Sequence, residues 1–86
     1  MTAPLTLTNR FELLLTGSPA SLPRVLDQFA ESNISPATVN ARSQRDGSLA
    51  VTVTVKQLGE EMAEILRARL KAVPSVKTAR LEHLVS

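Results

Sequence analysis

The chain has 86 residues, with ten Lys plus Arg against eight Asp plus Glu, one His, and neither Cys, Trp nor Tyr. That length holds one hydrophobic core and no second domain, and the lack of Cys excludes a disulfide framework, a thiolate metal centre and a dithiol redox pair. A formal charge of +2 is too small to argue for nucleic acid, while 43% apolar residues with 21% charged ones describe a packed domain rather than a disordered chain.

Residues 1–8 read as a loose lead-in and residues 9–86 as one domain. Met1–Thr8 lacks the basic start and apolar stretch of a secretory signal. No apolar run is longer than Leu13-Leu14-Leu15, so nothing is long enough to cross a membrane, and a soluble cytoplasmic protein is the expectation. Arg10–Leu15 places Phe11, Leu13 and Leu15 on one face of a strand and Leu14 on the other, the two-sided character of a central strand. Thr16-Gly17-Ser18-Pro19 breaks it. Ser18 can cap a helix with Pro19 in its first position, or the cap falls at Ala20 or Ser21, which keeps Pro23 within the first turn. Leu22, Val25, Leu26, Phe29 and Ala30 then follow one helical face, and Asn33 supplies the left-handed residue that ends it.

Ile34–Gln44 reads as a weaker strand in which Val39, Ala41 and Ser43 alternate with Thr38, Asn40, Arg42 and Gln44. Pro36 must lie at its start or on an edge, because it cannot donate to a ladder. Asp46-Gly47 signals a hairpin. In the return strand, Leu49, Val51, Val53 and Val55 point one way and Ala50, Thr52, Thr54 and Lys56 the other. Gly59-Glu60-Glu61 opens a second helix, acidic at its start and basic at its end, as the helix dipole favours. Its expected apolar stripe is Met62, Ile65, Leu66, Leu70 and Val73, and Pro74 ends it. Val76–Val85 is the last strand, with Ala79, Leu81, His83 and Val85 sharing a face.

The order βαββαβ is that of an α+β, ferredoxin-like fold, a four-stranded antiparallel sheet with two helices on one face. Right-handed crossovers put strands one and three in the centre and two and four at the edges. The expected core is Leu13, Val25, Leu26, Val51, Val53, Ile65 and Leu66. A mean hydropathy of +0.03 in so short a chain suggests that some apolar surface is covered by another chain.

Chemistry is sparse. His83, the one histidine, has no acidic partner at fixed spacing and reads as an ordinary strand residue. Glu60, Glu61 and Glu64 fall in the opening turns of a helix and answer its dipole, and no ligand set has metal-binding spacing. A phosphatase of this topology needs a Gly-rich loop with a nearby Arg, and Thr16–Pro19 has one Gly. RNA-binding domains of this topology stack bases on central-strand aromatics, which Leu49–Lys56 lacks. Catalysis and nucleic-acid binding are both disfavoured, which leaves a binding or regulatory module: the Thr52/Thr54 face and the open edge of strand two have room for a partner.

Gly17-Ser18-Pro19-Ala20-Ser21-Leu22-Pro23-Arg24-Val25-Leu26 resembles the turn and first helix of an ACT domain, a family of the same βαββαβ order. Its members pair side by side and bind small amino acids at the pair interface. The pieces Pro19-x-x-Leu22-x-Arg24-Val25-Leu26, Val39-Asn40-Ala41, Asp46, Thr54-Val55 and Leu70 to Val76 to Ala79 are similar to the short regulatory small subunits of acetolactate synthase, in branched-chain amino-acid biosynthesis. The resemblance implies a non-catalytic homodimer that binds the catalytic subunit. That subunit would hold the thiamine diphosphate, Mg²⁺ and flavin, and this chain no cofactor. It also implies an effector loop for a small amino acid such as valine at Gly17, Ser18, Pro19, Ala20 and Ser35. Valine-binding members carry Asn or Asp where this chain has Gly17, Gly where it has Ala20 and Asn where it has Ser35. The resemblance therefore implies a subunit that stabilises or activates its partner rather than one that senses product. The alternatives are a free-standing ACT dimer that senses another small amino acid, and an interaction module with no ligand.

Overall fold

Period-two alternation of apolar and polar residues builds the sheet, and two amphipathic helices close over one of its faces. The computed structural model describes residues 7–85: β1 (Leu7–Leu15), α1 (Ser21–Glu31), β2 (Thr38–Ser43), β3 (Leu49–Lys56), α2 (Glu60–Ala72) and β4 (Val76–Val85). Of the expected lead-in, Met1–Thr6 lie outside the described residues, while Leu7 and Thr8 already belong to β1 and pair with Val85 and Leu84. The strand order is β2-β3-β1-β4 with every neighbouring pair antiparallel, so β1 and β3 are central and β2 and β4 form the edges, as expected.

The covered face carries Asn9, Phe11, Leu13 and Leu15 of β1 beside Val51, Val53 and Val55 of β3, all buried. Val25 and Phe29 of α1 and Ala63, Leu66 and Leu70 of α2 seal it. Phe11 and Phe29 meet edge to face, with ring centroids 5.7 Å apart and planes at 88°. On β4 the register slips between Leu14 and Leu15, so that Lys77 is the extra residue of a bulge and Val76 returns to the core opposite Leu15. The opposite face is polar: Arg10 sits opposite Glu82 and Glu12 opposite Arg80, with an Arg10–Glu82 ion pair at 2.7 Å and the hydroxyls of Thr38 and Thr54 in contact.

Two expectations about the core need correction. Ile65 is 47% exposed, as is Met62, and the buried stripe of α2 runs through Ala63, Leu66, Leu70 and Val73. A small Ala lets this helix lie close to the sheet, which turns its larger neighbours outward. Leu26 is only half-buried, because it faces the open groove that it lines together with Val39 of β2.

One buried polar residue ties the layers together. Asn9, 2% exposed, donates from Nδ2 to the Leu58 carbonyl at 2.8 Å, just ahead of α2. Its Oδ1 is then the acceptor for His83 Nδ1–H at 2.6 Å, which assigns that ring nitrogen its proton. His83 is thus a cross-strand hydrogen-bond donor, consistent with its reading as an ordinary strand residue.

Candidate functional site

The candidate loop begins where β1 ends. Thr16 is fixed twice: its amide donates to the Ser75 carbonyl at 2.8 Å and its hydroxyl lies 2.9 Å from that of Ser21. Helix α1 starts at Ser21 with Ala20 as the flanking cap residue, so the later of the two expected boundaries holds and Pro23 sits in the first turn. Ser18 does not cap from the first position; it folds its own turn. Its hydroxyl accepts from the Ala20 amide at 3.3 Å and its carbonyl from the Ser21 amide at 3.0 Å.

These bonds bear on what the loop can hold. A helix N-terminus attracts a carboxylate through its unpaired amides. Here Ser18 occupies two of them, Pro23 has none, and the Arg24 amide already bonds Ala20. Among the described residues, Leu22 is left as the one first-turn amide without a partner.

Gly17 has a separate constraint. A Cβ placed on it would fall inside the contact radius of the Gly47 carbonyl oxygen, which belongs to the β2–β3 hairpin. The candidate loop and the hairpin therefore press backbone against backbone, and position 17 admits no side chain without movement. Glycine is the residue that this contact requires at position 17.

The hairpin itself is a three-residue loop, Arg45-Asp46-Gly47. The Gly47 amide donates to the Gln44 carbonyl at 3.1 Å, and Gly47 has φ +88°, a left-handed conformation suited to Gly. Asp46 Oδ1 accepts from both the Ser48 amide at 2.9 Å and the Ser48 hydroxyl at 2.6 Å. Those two bonds, the hydroxyl first, hold the Asp46 carboxyl below the ordinary aspartate range. A folded pKa below the unfolded one gives stability that is complete above the unfolded value of about 3.9 and is lost as pH falls through the folded value. The urea midpoint should therefore decline as pH is lowered from about 5 to about 2, and Asp46→Asn should lack that part of the decline.

Ser35 lies past the other end of α1, and the eleven-residue helix separates it from the loop by ~16 Å. A single chain brings Gly17, Ser18, Pro19 and Ala20 together and leaves Ser35 apart. Ser35 instead lines a groove of about 430 Å³ with Leu26, Phe29, Ala30, Ile34, Pro36 and Val39. This apolar groove lies between α1 and the edge strand, and no spacing in the sequence announces it. All six residues of β2 are exposed, Val39 by 44%. The Gln44–Ser48 bond sets the alternation of the ladder, so the amides and carbonyls of Val39, Ala41 and Ser43 point away from β3. The other edge, β4, carries Lys77, Arg80, Glu82 and His83 and is guarded by charge; β2 has only Arg42.

A second groove, of about 420 Å³ between the helices, is lined by Arg24, Asp27, Gln28, Glu31 and Arg69. Its charged groups are exposed and of both signs, the character of a solvated helix surface. Among the described residues no three His, Asp or Glu side chains converge on a possible metal site, and no helix is long and apolar enough to cross a membrane.

Comparison with known proteins adds the following. No curated protein matches the chain. The C-terminal domain of the MgtC protein from Mycobacterium tuberculosis overlays with a TM-score of 0.72 at 13% identity, covering 91% of this chain and 87% of that one. The ACT domain of the GTP pyrophosphokinase of Chlorobium tepidum gives 0.72 at 13% identity, covering 90% and 96%. An uncharacterised protein from Thermotoga maritima gives 0.67 at 7% identity, covering 93% and 96%. At these identities the overlays establish the shared fold. A family model described as an ACT-like domain matches residues 3–86, and by that match over almost its whole length the chain belongs to the ACT-like domain family.

Proposed function

We propose that this chain is a non-catalytic regulatory subunit that pairs with a second copy through the β2 edge and activates or stabilises the catalytic subunit of acetolactate synthase. The observation that carries the pairing is β2 itself, with outward-facing backbone groups, Arg42 as its single charged residue and an apolar groove alongside. Antiparallel addition of a second β2 turns two four-stranded sheets into one. It sets the start of one β2 against the end of the other. Ser35 precedes β2 and the hairpin against Gly17 follows it, so pairing brings the partner's Ser35 toward the Gly17–Ala20 loop and reunites the five candidate residues across the interface.

The choice of catalytic partner rests on the Pro19-x-x-Leu22-x-Arg24-Val25-Leu26 pattern. The choice of activation over valine sensing rests on the loop, where Ser18 takes up two of the amides and Gly47 takes up the space at position 17. The test is acetolactate formation by the catalytic subunit from the same source, with and without this chain and with added valine. Stimulation that valine does not reverse is expected. No stimulation and no co-elution would remove acetolactate synthase as the partner. Thermal stabilisation of the isolated chain by an amino acid would favour a free-standing sensor, and its absence an interaction module without a ligand. Val39→Lys places a charge on the exposed edge and should convert the dimer to monomer in sedimentation velocity with an unchanged circular dichroism spectrum.

A further inference from the structure

The chain's one Asp-Gly pair, Asp46-Gly47, lies in the exposed β2–β3 hairpin. An Asp-Gly peptide is chemically special because Gly has no Cβ to hinder its own nitrogen from reaching the preceding side chain. We propose that Asp46-Gly47 is a site of spontaneous backbone isomerisation to isoaspartate, and that Ser48 gates the reaction.

The chemistry balances without an added reactant other than water. The Gly47 amide nitrogen attacks Asp46 Cγ and a C–N bond closes a five-membered succinimide. One carboxyl oxygen leaves as water, taking the amide proton and the acid proton. Water then adds back to one of the two imide carbonyls. Opening at the side-chain carbonyl restores Asp; opening at the main-chain carbonyl leaves the backbone running through Cγ as isoaspartate. Nothing is oxidised or reduced.

Three contacts in the folded hairpin oppose the first step. Both the amide and the hydroxyl of Ser48 bond Asp46 Oδ1, which tethers the carboxylate to residue 48 and limits its rotation toward the attacking nitrogen. They also favour the ionised form, whereas water leaves from the neutral acid, and the depressed Asp46 titration agrees with this. The Gly47 N–H, meanwhile, is directed at the Gln44 carbonyl. Ser48 is 3% exposed, so its hydroxyl is held in place rather than shared with solvent. Removal of that hydroxyl frees one bond and lets the carboxyl swing. The product matters to the fold, because isoaspartate adds a backbone carbon inside the turn whose Gly47 carbonyl rests against Gly17, and β2 is held to the sheet by β3 alone.

The experiment uses the full chain, aged at neutral pH and physiological temperature, with isoaspartate at position 46 quantified by mass spectrometry of the proteolytic peptide. Ser48→Ala should accumulate it several-fold faster than the parent while retaining the parent circular dichroism spectrum, and Ser48→Thr, which keeps the hydroxyl, should match the parent. The parent unfolded in urea should react at least as fast as Ser48→Ala. Equal rates for parent and folded Ser48→Ala would overturn the gate. Should Ser48→Ala fail to fold, the parent folded against unfolded, together with Ser48→Thr, decides the matter. A folded parent that isomerises as fast as the unfolded chain defeats the proposal.

Discussion

Phe29→Ala is expected to destabilise the chain by about 3–5 kcal/mol, the range for emptying a buried aromatic site. Phe29 is 1% exposed and Phe11 is fully buried, and these are the only aromatic residues in the sequence. Their edge-to-face contact keys α1 to the centre of the sheet. Neighbouring contributions come from Val25, Leu66 and Leu70, none of which can extend into the space left by a ring. A domain of this size has a total stability near the low end of about 5–15 kcal/mol, so the variant should sit close to half-unfolded without denaturant. Urea titration followed by circular dichroism reads this directly. Phe29→Leu should recover most of the loss, because it refills much of the volume. A double-mutant cycle with Phe11→Leu should isolate a coupling of roughly 0.5–1.5 kcal/mol for the aromatic pair. The same substitution removes one wall of the groove beside Val39, so a further drop in self-association is expected alongside the lost stability.

The strands were legible because period two leaves little ambiguity. Val51, Val53 and Val55 are on the covered face and Thr52 and Thr54 on the other, as their alternation requires. Asn33 was legible too, and its φ of 57° is the left-handed residue that the helix end demands. The stripe of α2 was less so. A helix with Met62, Ala63, Ile65, Leu66, Leu70 and Val73 offers two overlapping apolar faces, and hydropathy alone favours the one with larger residues. Packing chose the other, since Ala63 permits close approach to the sheet while Met62 and Ile65 do not. At the candidate site, the loop's location followed from its turn residues, but its contact did not. Gly17 and Gly47 are far apart in sequence and meet only because the β1–α1 loop and the β2–β3 hairpin fall at the same end of the sheet. The exposure of β2 likewise follows from where α1 ends up, which no local pattern in Thr38–Ser43 encodes.

Gly17→Asp is the second large effect expected, and it separates two views of the candidate loop. If the loop were an effector site that had merely lost its acidic residue, restoring a side chain there would cost little and would raise affinity for a small amino acid. The geometry argues otherwise. The atom in the way is a backbone carbonyl, which cannot rotate aside as a flexible side chain would, so the hairpin or the loop has to move as a unit. Overpacking of this kind costs about 1–3 kcal/mol. The expected result is a lowered urea midpoint with no gain in thermal stabilisation by valine. Gly17→Ala should lose nearly as much, because the clash begins at Cβ, whereas charge repulsion would penalise Asp alone. Shortening residue 47 cannot rescue either variant, since it is already Gly. A stable Gly17→Asp chain that binds valine would instead mean that loop and hairpin separate at little cost and that the effector site is open after all.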